Sequence, residues 1–135
     1  MTSPEERIRV VVATPGHDGE DRATLTVARG LRDAGMEVVH AGRSSLEQLA
    51  DTVVQEDADA VGLSVLSGAH MTLFARVVEL LRERDAADIV VFGGGIIPRN
   101  DITELERLGV RKVFSPGASM TQIVDWVTGN VRPKV

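Results

Sequence analysis

Five short apolar runs alternate with five stretches of helical periodicity, and this alternation constrains the chain more than any other feature. The runs are Ile8–Ala13, Glu37–His40, Ala60–Ser64, Ile89–Phe92 and Lys112–Phe114. They are β-branched and nearly continuous in apolar character, as strands covered on both faces require. Between them lie Arg22–Ala34, a stretch capped by Ser44 or Ser45, His70–Arg84, Asp101–Leu108, and a last stretch beginning at Ser119 or Thr121. Each carries apolar residues three and four apart, such as Leu46, Leu49, Ala50, Val53 and Val54, or Leu73, Phe74, Val77, Val78, Leu80 and Leu81. Gly35 and Gly109 stand where glycine ends a helix. Regular strand–helix alternation means a parallel sheet with helices on both faces. Right-handed crossovers leave few topologies. The expected fold is a single doubly wound α/β domain over residues 1–135, with five strands in the order 2-1-3-4-5.

In such a sheet, ligands bind beyond the carboxyl ends of the strands, near the point where strand order reverses. The loop after the first strand holds Gly16, His17, Asp18, Gly19, Glu20 and Asp21. The loops after the third and fourth strands, Ser64–Ala69 and Gly93–Pro98, open on the same edge. All three are rich in small residues, which lets a large flat ligand approach the backbone. Asp18, Glu20 and Asp21 repel one another unless Arg22 or the start of the following helix offsets their charge. Read plainly, they are capping residues on a solvated loop; read functionally, they belong to a site. His17 is likewise a surface histidine or a ligand, whereas His40 and His70 read as structural. Gly93-Gly94-Gly95 is either an irregular turn before Pro98 or a place where the backbone contacts something bulky.

Several chemistries are excluded. The chain has no cysteine, so disulfides, thiolate metal sites and cysteine nucleophiles are absent; this suits a cytoplasmic protein. Dinucleotide, P-loop, G-x-S-x-G and H-E-x-x-H patterns do not occur, and no Ser-His-Asp set is visible. No catalytic residue is therefore assigned. A net charge of −5 and a single tryptophan, Trp126, argue against nucleic acid and anionic membranes as partners. No apolar run approaches the roughly 20 residues of a membrane span, and Met1–Arg7 is too polar for a signal peptide.

From about Arg7 to Val131 the chain resembles the cobalamin-binding domain of adenosylcobalamin-dependent acyl-CoA mutases, especially the separate small subunits of isobutyryl-CoA, methylmalonyl-CoA and 2-hydroxyisobutyryl-CoA mutases. The resemblance is carried by Gly30–Val38, Gln55–Ala60, Leu66–Phe74 and Phe92–Pro98. It implies cobalamin as cofactor, a large partner subunit that holds the acyl-CoA and carries the radical chemistry, and no activity in this chain alone. It also implies that Ser64 and Leu66 of Ser64-Val65-Leu66, with Gly93 and Gly94, line a pocket for the dimethylbenzimidazole tail. Gly68 belongs to the same matching stretch. The family signature in the first loop is Asp-x-His-x-x-Gly, its histidine binding cobalt and its aspartate holding the imidazole. Here Asp18 is kept, but Glu20 replaces the histidine, Ala23 the glycine and Thr14 the usual lysine. Imidazole nitrogen suits cobalt, and a carboxylate behind it raises its basicity. Glu20 offers a harder oxygen and a second negative charge beside Asp18, so the bond to cobalt is expected to be weakened or lost. His17 is the rival ligand. Two other readings remain: a degenerate paralogue acting as a scaffold or binding another ligand, and a stand-alone cobalamin-binding module.

Overall fold

The computed structural model describes residues 7–15, 22–42, 45–65 and 68–133. The strands are β1 (Arg9–Ala13), β2 (Glu37–Gly42), β3 (Ala60–Val65), β4 (Val90–Gly95) and β5 (Val110–Phe114). The helices are α1 (Arg22–Asp33), α2 (Leu46–Gln55), α3 (His70–Glu83), α4 (Arg99–Leu108) and α5 (Met120–Asn130). All strand pairs are parallel and the sheet order is β2-β1-β3-β4-β5, as the alternation predicts.

Successive strand residues point to opposite faces, and this divides the core in two. Val10, Val12, Ala60, Val90 and Phe92 pack with Ala28 and Leu31 of α1 and Val127 of α5. Val11, Ala13, Val61, Leu63, Val91 and Val113 pack with α2, α3 and α4 through Leu49, Val53, Phe74, Val77 and Leu105. The near-continuous apolar runs follow directly, because both faces of the central strands are dry. At the amino-terminal end of the sheet, Arg9 ties three segments together. Its side chain donates to Glu37 Oε2 at 2.9 and 2.6 Å and to the Glu56 carbonyl at 2.7 Å, while its backbone N–H donates to Asp59 Oδ2 at 2.8 Å.

Local chemistry sets the helix ends. Ser45 and Ser119, rather than Ser44 and Thr121, cap α2 and α5, each in a reciprocal pair with the glutamine three residues on. Gly109 ends α4 with φ 118°, a value L residues rarely adopt. Three expected boundaries are corrected. Helix α4 starts at Arg99, because the Pro98 carbonyl already accepts from Asp101 and Ile102 at 3.0 Å. Strand β5 starts at Val110, where it pairs with Val91. The Gly93-Gly94-Gly95 triplet is the end of β4, not a turn after it, and pairs in register with Leu63, Ser64 and Val65. Ladder hydrogen bonds need no side chain, so glycine continues a strand where neighbours leave no room for one.

Candidate functional site

The site begins with an absence of side chains. On the α1/α5 face, the carboxyl ends of β3 and β4 present Gly62, Ser64 and Gly94. Ser64 and Gly94 are paired neighbours. The Phe92 ring covers Gly62, and beside it, among the described residues, the space above Ser64 and Gly94 stays open as part of a cavity of about 340 Å³. Val12, Phe92 and Phe114 also line it from the sheet, Ala23 and Val27 from α1, Ser115, Pro116 and Ala118 from the β5–α5 connection, and Ile123 from α5.

An aromatic cluster supports this floor. The rings of Phe92, Phe114 and Trp126 lie 5.7 to 6.4 Å apart, two of the three pairs edge to face. Phe92 lies over Gly62 on the neighbouring strand: a Cβ at Gly62 would stand 2.7 Å from Phe92 Cζ. Gly93 contributes differently. Its backbone lines the cavity, but its missing side chain faces the other way, where a Cβ would meet the Leu63 carbonyl oxygen and stand 2.5 Å from Phe74 Cζ. A Cβ at Gly94 would stand 3.2 Å from the Phe114 carbonyl oxygen.

Ser64, Gly93 and Gly94 thus come together in one cavity wall. Gly68 does not join them; it is exposed just before α3, with nothing within 4 Å of the Cβ position. His17, Asp18, Gly19, Glu20 and Leu66 lie outside the described residues. The two ends of the first loop are nevertheless fixed. Thr14, following β1, and Thr24, in the first turn of α1, are both buried, and their hydroxyls are 2.7 Å apart. The Thr14 N–H also donates to the Gly42 carbonyl at 3.1 Å. The loop that holds Asp18 and Glu20 therefore starts and ends beside the cavity, since Val12 and Ala23 line it.

Sequence reasoning missed the helical wall and the β5–α5 connection. The available signal was the face assignment: once α1 and α5 cover one side of the sheet, Ala23, Val27 and Ile123 must face Gly62 and Gly94. His70 lies apart from the residues that line this cavity. It is buried at the start of α3, with Nε2 2.7 Å from Asp101 Oδ2 on α4, a bond joining the two helices that follow β3 and β4.

Among the described residues, none of the cavity-lining side chains is charged. The arrangement suits a flat, mostly apolar group, hydrogen-bonded by backbone amides and by the hydroxyls of Ser64 and Ser115. Among the described residues it offers no acid, base or nucleophile pair. Among the described residues, no three His, Asp or Glu side chains converge as a metal site requires.

A family model described as a B12 binding domain matches residues 8–124. The chain is 43% identical over 119 residues to a 2-hydroxyisobutanoyl-CoA mutase small subunit from Aquincola tertiaricarbonis, covering 87% of this chain and 88% of that protein. It is 38% identical over 117 residues to a fused isobutyryl-CoA mutase from Geobacillus kaustophilus, covering 84% of this chain but 11% of that longer protein. Among solved structures, a cobalamin-binding protein from Desulfitobacterium hafniense superimposes with a TM-score of 0.79 at 21% identity, over 93% of this chain and 59% of that one, a likeness of fold.

Proposed function

The chain belongs to the B12-binding domain family, and on that premise we propose that it is the cobalamin-binding small subunit of an adenosylcobalamin-dependent acyl-CoA mutase. The observation that carries the proposal is the uncharged cavity above Gly62, Ser64 and Gly94. It fits the nucleotide tail of cobalamin. A flat base needs a slot between sheet and helices, and Ser64 and Gly94, beside the Phe92 ring, leave room for one. The cobalt-ligating position does not fit in the same way, since Glu20 stands where the family has histidine. The reading therefore assigns binding to the tail pocket and leaves the cobalt without an imidazole from Glu20's position.

Adenosylcobalamin supplies the radical chemistry of carbon-skeleton rearrangement. This chain's contribution is to hold the tail and present the corrin at the carboxyl edge of the sheet. The acyl-CoA site belongs to a large partner subunit. In support, one relative is named a small subunit and another is a single fused chain of which this one spans 11%. No described helix is long and apolar enough to cross a membrane.

Reconstitution tests the proposal. The purified chain, its cognate large subunit and adenosylcobalamin together should isomerise an acyl-CoA, and neither protein should do so alone. Absence of both complex and turnover in the presence of the cofactor would contradict it.

A further inference from the structure

The cavity is bounded on one side by a helix crossing that contains almost no room. Ala23, Val27 and Gly30 are four and three residues apart, so they share one face of α1. The first two line the cavity. At Gly30 the face meets α5. A Cβ there would stand 2.6 Å from both Cγ and Sδ of Met120, and all three nearest atoms belong to that one side chain. Met120 lies between Ala118 and Ile123, which line the cavity from the opposite side. The Met120 side chain, seated on the Gly30 backbone, is thus the seam between the two helices whose separation sets the slot.

We infer that Gly30 and Met120 determine the width of the tail pocket and so select which nucleotide tail it admits. The inference rests on the cobalamin reading above. Contact between backbone and thioether brings α1 and α5 closer than any β-carbon at position 30 allows. Methionine suits the position because its unbranched chain follows the helix surface without a fixed shape. An added methyl at position 30 must displace Cγ of Met120, near its backbone, and cannot be absorbed by the end of the side chain alone. The displacement moves α5 or turns Met120 toward Ala118 and Ile123; either change deforms the slot.

The test compares cobalamin with cobinamide, a corrin that lacks the nucleotide tail, by absorbance titration of the purified protein. Wild type should bind cobalamin more tightly than cobinamide. Gly30→Ala should bind cobalamin about tenfold more weakly while its affinity for cobinamide stays within about twofold. Met120→Ala opens the seam and should weaken cobalamin in the same selective way. The double variant, pairing one alanine with another, should recover most of the loss. Equal cobalamin affinity in wild type and Gly30→Ala would overturn the inference alone, as would equal losses for both ligands. If thermal unfolding shows that Gly30→Ala does not fold, Met120→Ala decides, and unchanged affinity in that variant overturns the inference. A wild type that does not prefer cobalamin to cobinamide would remove the tail-binding reading itself, and the inference with it.

Discussion

Gly62 shows how one missing side chain serves both stability and function. Its vacant Cβ position is occupied by the Phe92 ring, 2.7 Å away, and that ring is part of the cavity floor. Gly62→Leu should therefore overpack the α1/α5 face, cost about 1–3 kcal/mol or more, and weaken cobalamin binding. A thermal unfolding curve identical to wild type would show that the contact is not tight. The close packing of Gly62 was legible in the sequence, because glycine between Val61 and Leu63 in a buried strand marks a close approach by a neighbouring group. The different roles of Gly93 and Gly94 were not legible. Period-two alternation sends one toward Phe74 and the other toward the cavity, and that assignment needs the strand to continue through the triplet. The glycines read as part of the loop after the fourth strand, an irregular turn or a backbone surface for something bulky, because isolated propensity disfavours them in strands. Pairing with Leu63, Ser64 and Val65 overrides the propensity.

At the scale of elements, the wall opposite the sheet is built by α1 and α5, and its geometry depends on how α5 begins. Ser119 Oγ accepts from the Gln122 N–H at 3.1 Å, and Gln122 Oε1 accepts from the Ser119 N–H at 2.7 Å. The next residue is Met120, and Ile123 follows one turn on. Ser119→Ala should lower stability by about 1 kcal/mol, read as a shift in denaturant midpoint, and should weaken cobalamin more than cobinamide because the frayed turn is part of the tail pocket. An unchanged midpoint would show that the cap is energetically idle. Strand and helix identities were legible, since each element has a clean apolar run or stripe. The limits of α4 and β5 were not, because Arg99 and Asn100 are polar residues just after Pro98, and Val110 is a single apolar residue between Gly109 and two cations; backbone bonds to Pro98 and pairing with Val91 recruit them. The contribution of the β5–α5 connection was hidden for a further reason: Ser115 and Pro116 join the cavity only through the fold.

For the whole molecule, the cavity and the ends of β1, β3 and β4 share the carboxyl edge of the sheet. Ile96, 75% exposed, stands at the cavity rim on this edge. On the proposed function, the large subunit meets this edge, so Ile96→Glu should weaken complex formation with that subunit while leaving the unfolding temperature unchanged. Unaltered association in a pull-down or sedimentation assay would move the interface elsewhere. The family was legible in the sequence. Thr14 is a buried hydroxyl bonded to Thr24. The most direct test of the account is an absorbance titration of cobalamin with wild type and Glu20→His, alongside His17→Ala. The account predicts that wild type takes up cobalamin with the dimethylbenzimidazole detached from cobalt and no imidazole in its place. It predicts that His17→Ala behaves as wild type and that Glu20→His gains nitrogen coordination and binds more tightly. Failure of both wild type and Glu20→His to alter the spectrum of excess protein-treated cobalamin would contradict it.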